Sequence, residues 1–315
     1  MTSPLHELPQ LDGSVFLMDG GLETTLIFLE GVELPFFAAF PLLLDAAGRC
    51  RLESYFEPFI RIARDQKVGF VLDTPTWRAN TDWGGKLGYT VEQLLDVNRR
   101  AVTWAIDLKG KFASPTTRIV VNGVVGPRGD GYHVDARMTA GEAQTYHNPQ
   151  IQALGAAGAE MVSAITMNYV GEAIGIVKAS QANNIPVVIS FTVETDGKLP
   201  SGDTLATAIE AVERATDAAP AYYMVNCAHP SHFRDVLSDC ASWTNRVRGL
   251  RANASAKSHA ELDAATELDA GNPQELGQQY HELRRRLPQL SVLGGCCGTD
   301  HRHVLAICDA CVSAP

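Results

Sequence analysis

Apolar positions along the chain fall into two alternating patterns. Short runs rich in β-branched and aromatic residues occupy 14–18, 68–73, 119–125, 161–166, 186–193, 222–227, 246–251 and 290–293. Between them apolar residues recur every three to four positions, as in 46–66 with Leu52, Phe56, Phe59, Ile60 and Ala63. The first pattern predicts buried strands and the second amphipathic helices. Local signals place helix starts at Thr90, at Thr139 with Glu142 three residues on, at Asp203, at Ser231, at Pro273 and near Asp300. The helix from Thr139 is expected to reach Gly158, and the polar, Ala-rich 253–271 stretch reads as a long loop.

Eight strand–helix pairs imply a parallel sheet. In a chain of 315 residues that count predicts an α/β fold, a (β/α)8 TIM barrel forming a single domain over 1–315, with 1–12 as an N-terminal extension. An open doubly wound sheet is the alternative, but no Gly-x-Gly-x-x-Gly follows the first run. On the barrel reading, the polar residues of interest fall at the C-terminal ends of strands, the face where such barrels build active sites. Asp19 and Gly20 follow the first strand, Thr74 the second, Thr166 and Asn168 the fourth, and Thr192 and Glu194 the fifth. Asn226 and Cys227 end the sixth, Asn253 follows the seventh, and Cys296 and Cys297 end the eighth.

The cysteine pair lies within Gly294-Gly295-Cys296-Cys297-Gly298-Thr299. A disulfide between neighbours is strained, and core packing has no use for the flanking glycines. A metal site uses both, since glycine lets the backbone turn so that two adjacent sulfurs meet one ion. Cys227, about seventy residues upstream, is the best third ligand. Three thiolates with one open position suit a soft metal, zinc, in a catalytic arrangement. Such a metal generates hydroxide poorly but keeps a bound substrate thiol deprotonated and electron-rich. A closed four-cysteine knot with Cys308 and Cys311 is disfavoured, because their neighbours Val304, Leu305 and Ile307 point to core packing. Cys50 and Cys240 read as unremarkable, and His301 and His303 as solvated capping positions.

Composition narrows the partners. The hydrophobic share of 45% and the charged share of 20% are those of a globular enzyme, and the formal net charge is −10. No basic stripe marks a nucleic-acid surface, and no window of 18 apolar residues marks a membrane span. The first ten residues lack the apolar core of a secretory signal, so the seven cysteines read as reduced thiols in the cytoplasm. Association into homo-oligomers is left open.

The chain resembles the zinc-dependent homocysteine S-methyltransferases, a family that includes betaine- and S-methylmethionine-using enzymes and the homocysteine half of cobalamin-dependent methionine synthase. Met18-Asp19-Gly20-Gly21 with Thr24-Thr25-Leu26, Val225-Asn226-Cys227 and the Gly-Gly-Cys-Cys-Gly-Thr stretch carry the resemblance. Gly126-Pro127, Gly158-Ala159-Glu160, Ser190-Phe191-Thr192-Val193 and Asn253 support it more weakly. It implies the barrel, Zn2+ on Cys227, Cys296 and Cys297, and methyl transfer from an activated donor to a thiol acceptor, most naturally homocysteine giving methionine. Asp19 would hold the acceptor's ammonium group, and Asp19 and Asn226 are the catalytic candidates. Gly20, Thr166, Glu194, Trp77 and Asn253 complete the substrate-binding set.

Two departures stand out. Where the family has a glutamate before a threonine at the end of strand four, this chain has Ile165 before Thr166. Either Glu194 or another group compensates, or the acceptor is a different thiol. After the second strand the chain has Pro75-Thr76-Trp77, and Trp77 with Trp83 and Tyr89 offers an aromatic wall for a cationic donor or simply packs a loop. A non-catalytic zinc barrel serving a corrinoid or folate partner is the rival from another class. S-methylmethionine, S-adenosylmethionine, betaine and methylfolate all stay open as donors.

Overall fold

The computed structural model describes residues 8–134, 136–238 and 241–312. Its strands are β1 (Phe16–Leu17), β2 (Gly69–Asp73), β3 (Ile119–Val125), β4 (Met161–Met167), β5 (Val187–Phe191), β6 (Tyr222–Asn226), β7 (Val247–Ala252) and β8 (Val292–Gly295). All pair in parallel and in sequence order, and β1 closes the ring on β8 with Phe16 opposite Val292. The expected (β/α)8 barrel is therefore the fold. The eighth strand lies two residues later than the 290–293 expected, because Leu290 and Ser291 form the approach to it.

The helices are α1 (Leu22–Thr24), α2 (Ala46–Asp65), α3 (Thr81–Lys86), α4 (Val91–Phe112), α5 (Ala140–Ala156), α6 (Val170–Ala182), α7 (Leu205–Thr216), α8 (Pro230–Phe233), α9 (His259–Asp263), α10 (Pro273–Arg286) and α11 (His301–Val312). Thr90 and Thr139 form the full capping boxes their spacing predicts. Two expected caps move. Thr204, not Asp203, caps α7, since its hydroxyl reaches the Thr207 amide. His229, not Ser231, caps α8, which Pro230 starts and which ends at Phe233. The expected loop at 253–271 contains α9, capped by Ser258 and Glu261. The helix from Thr139 stops at Ala156, two residues before Gly158.

Strand alternation divides the core in two. Leu72, Val121, Ile189, Val225 and Leu250 face the helices. Phe16, Met18, Val71, Val120, Met161 and Tyr222 fill the lower barrel. The N-terminal stretch takes part: Leu8 packs in that inner cluster, and the Gln10 side chain donates to Tyr222 Oη (3.3 Å) while its carbonyl accepts from Ser291 Oγ. Residues 8–11 thus plug the barrel floor rather than extending from it. Higher up, the inward positions turn polar. Asn122 Nδ2 donates to Asp73 Oδ1 at 2.7 Å, and Ser163 Oγ donates to Asn122 Oδ1 at 3.0 Å. The layer above is the barrel mouth.

Candidate metal and substrate site

The β6 and β8 ends bring three sulfurs together. Cys227 Sγ lies 3.0 Å from Cys296 Sγ and 3.5 Å from Cys297 Sγ, and all three fall within 4.8 Å of one another. They are the described residues that cluster as ligands for a metal ion. Glycine makes this possible by close approach. A Cβ on Gly21 would sit 2.7 Å from the Cys296 carbonyl oxygen, and one on Gly295 would strike Thr299. Gly298 alone of the neighbouring glycines needs its positive φ, +79°. Cys308 is buried in the core and Cys311 packs against it, as their neighbours predict; Cys240 lies outside the described residues.

Cys227 adopts φ +55° and Thr166 φ +66°, a left-handed conformation costly for a β-branched residue. Asn226 holds Thr166 in it. Its Oδ1 accepts from the Thr166 amide (3.0 Å) and from Ser190 Oγ (2.6 Å), and its Nδ2 donates to Thr166 Oγ1 (2.9 Å). Every polar atom of the Asn226 side chain is thus engaged in setting backbone shape, and Asn226 does not line the cavity above the thiols.

That cavity has a volume of about 310 Å³, in the range of small-molecule sites. Of the residues expected in the site, Asp19, Gly20, Trp77, Thr166 and the three cysteines line it; Glu194 and Asn253 do not. Glu194 is engaged by His259, whose Nδ1 lies 3.1 Å from its carboxylate, while His259 Nε2 lies 2.6 Å from the Cys227 carbonyl. Asn253 is buried, its amide donating to the Ala228 carbonyl. Asp19 is enclosed too. Arg251 Nη2 meets its Oδ1 at 2.7 Å and Tyr55 donates to its Oδ2 at 3.1 Å. The same guanidinium pairs with Asp73 through Nη1. Asp19 therefore serves an internal ion triad, and an ammonium group would have to compete with Arg251 for it.

Burial pushes the Asp19 and Asp73 carboxyls up, and Arg251 opposes it. The thiols differ among themselves. Hydrogen bonds from Cys227 and Cys297, with Arg251 adding to them, hold Cys296 well below its ordinary value, while hydrogen bonding to Cys296 and to Cys227 respectively pushes Cys227 and Cys297 up.

Five residues of the cavity wall carry no site expectation from the sequence: Glu23, Asp73, Arg78, Tyr132 and Arg251. Arg251 and Asp73 had a signal: a charge inside a buried strand demands a partner. Tyr132, from the β3–α5 loop, had none; its hydroxyl lies 3.2 Å from Cys227 Sγ, and its ring stacks on His259 at 4.0 Å. Arg78 had none either. The indole faces expected to receive a cationic donor hold Arg78 instead, with its guanidinium carbon 3.9 Å from the Trp77 ring and 3.8 Å from the Trp83 ring. Tyr89 packs edge-on against Phe40, not in the cavity. His303 is a cap, as expected, but a fully buried one, whereas His301 is exposed.

A parallel barrel with a three-thiol cluster at its C-terminal mouth defines a class of thiol-centred barrel enzymes. The homocysteine S-methyltransferase family model matches residues 16–311, and the chain belongs to that family. It is a methyltransferase acting on small molecules. Crystal structures of the homocysteine methyltransferase MmuM from Escherichia coli share the fold. The oxidised form is 18% identical with a TM-score of 0.76, covering 97% of this chain and 99% of its own. The metallated form is 18% identical with a TM-score of 0.74, covering 93% and 95%. The apo form is 19% identical with a TM-score of 0.70, covering 98% and 100%. No curated protein matches the sequence.

Proposed function

We propose that this chain transfers a methyl group from an activated donor to the sulfur of homocysteine, giving methionine, with zinc held by Cys227, Cys296 and Cys297. The observation that carries the reading is the convergence of three thiols at the mouth of a cavity. The donor set fits the group: all sulfur, selecting a soft metal, and three in number, leaving a fourth position for exchange. Bound there, zinc would keep an acceptor thiol deprotonated at neutral pH while leaving it nucleophilic.

The chain's own residues then position and enclose. Asn226 and Thr166 set the backbone from which Cys227 projects. Arg251 pairs with both Asp19 and Asp73. Holding both substrates in one cavity supplies the orientation that a bimolecular transfer otherwise lacks. Since Ile165 is apolar and Glu194 faces His259, the carboxylate best placed for the acceptor's ammonium group is Glu23. It lines the cavity and forms no ion pair among the described residues. Burial raises its carboxyl to about 7, a state that a bound cation would relieve.

Ile165 and the enclosure of Asp19 also favour a second reading, in which another thiol is the acceptor. A panel of thiols assayed with S-methylmethionine, S-adenosylmethionine, betaine and methylfolate separates the two. Homocysteine is expected to give methionine with at least one donor. Turnover of a different thiol, with none of homocysteine, overturns the first reading. We place the enzyme in the cytoplasm, a compartment that suits the six free cysteines among the described residues.

A further inference from the structure

Arg78 has a charge without a counter-charge. Its side chain is only 6% exposed, yet among the described residues no carboxylate reaches ion-pair distance of it. Nη1 donates to the Gly129 carbonyl at 3.1 Å, and Nε has no hydrogen-bond partner. Two indoles clamp the guanidinium plane, and Trp77 is itself fixed by its Nε1 donating to the Ile165 carbonyl at 3.2 Å. The residue lines the same cavity as the three thiols.

A buried, uncompensated guanidinium is costly, and proteins keep such charges paired. The stacking does not remove that cost, because an aromatic face returns only a fraction of what a carboxylate does. Rigid stacking does preorganise a planar fork, the geometry that matches a carboxylate. Asp130 and Glu23 act on the Arg78 guanidinium through space, but neither comes within ion-pair distance of it. Asp130, the nearest in effect, accepts from the Tyr132 and His133 amides. Burial lowers the Arg78 guanidinium to about 10, so it stays charged at neutral pH.

We propose that Arg78 is a carboxylate-binding residue of the substrate cavity, pairing with the carboxylate of an amino-acid substrate whose sulfur is directed to the cysteine cluster. The inference rests on the proposed thiol methylation at that cluster. It places head-group recognition on the β2–α3 loop, beside the strand-four position that Ile165 leaves apolar, since the Trp77 ring under Arg78 donates to the Ile165 carbonyl. Both the acceptor and an amino-acid donor carry this group, and the test separates them.

The experiment compares wild type with Arg78→Met and Arg78→Lys, all metal-loaded, by steady-state kinetics and by thermal shift. Substrates are homocysteine, its decarboxylated analogue 3-aminopropane-1-thiol, and S-methylmethionine. Arg78→Met is expected to raise KM about 10–100-fold for the carboxylate-bearing substrate bound there, with kcat changed far less, and to leave the KM of the decarboxylated thiol within about twofold. A rise confined to homocysteine assigns the acceptor's carboxylate, and one confined to S-methylmethionine assigns the donor's. Arg78→Lys keeps the charge without the fork and is expected to fall between; it decides the matter if Arg78→Met does not fold. The carboxylate-bearing substrate bound there is expected to raise the Tm of wild type more than that of Arg78→Met, and the decarboxylated thiol to raise both alike. Equal KM values and equal Tm shifts in wild type and both variants overturn the proposal, as does an equal loss with the decarboxylated thiol. A wild type that neither binds nor methylates any thiol overturns the methylation reading instead.

Discussion

Arg251 stands inside the barrel with both its charge partners drawn from distant strands, Asp19 after β1 and Asp73 at the end of β2. Removing one member of a buried ionic group leaves the others uncompensated. Arg251→Ala is accordingly expected to cost about 3–5 kcal/mol in urea unfolding, and a loss under about 1 kcal/mol contradicts the triad's role. Asp19 was legible as a site residue because it stands at a strand's end before two glycines. Its partner was not, since Arg251 and Asp19 are 232 residues apart in sequence and only barrel closure tells which inward side chains face one another. The same holds for Glu194, whose sequence position marked it for the cavity while α9 brings His259 to claim it.

At the scale of elements, the strands were legible because parallel strands covered on both faces read as continuous apolar runs. The short α9 was missed although Ser258 and Glu261 carry a capping box, because no apolar periodicity accompanies it. The start of α11 shows what a well-capped element contributes. Asp300 accepts from the Arg302 amide (2.9 Å) and from the Arg302 guanidinium (2.6 Å), and its own amide donates to buried His303 Nδ1 (3.1 Å). Burial pushes the Asp300 carboxyl up, but the hydrogen bonds from Arg302 outweigh it and leave it well below the usual carboxylate range. A lowered folded-state value stabilises above the unfolded carboxylate's, about pH 4, and that contribution is lost as pH falls below it. Asp300→Asn is expected to lose about 1 kcal/mol at pH 7, with the gap to wild type closing below about pH 4 in a series of thermal melts. A gap that stays constant down to pH 3 contradicts the assignment.

Across the whole molecule the barrel is layered: a floor plugged by residues 8–11, an apolar lower interior, a polar girdle and a thiol centre at the mouth. Fold and cysteine cluster were both legible because each rests on local pattern, eight repeats in one case and a glycine-flanked pair in the other. Substrate recognition was not, because Glu23 sits on the one-turn α1 and Arg78 and Tyr132 on loops, none of which carries a periodic signal. Thiol methylation at the barrel mouth depends on the cluster holding zinc. Metal analysis of wild type and Cys297→Ser, purified anaerobically without chelator, tests this most directly. About one zinc per chain in wild type and almost none in the variant is the expected result, and a wild-type protein that carries no zinc contradicts it.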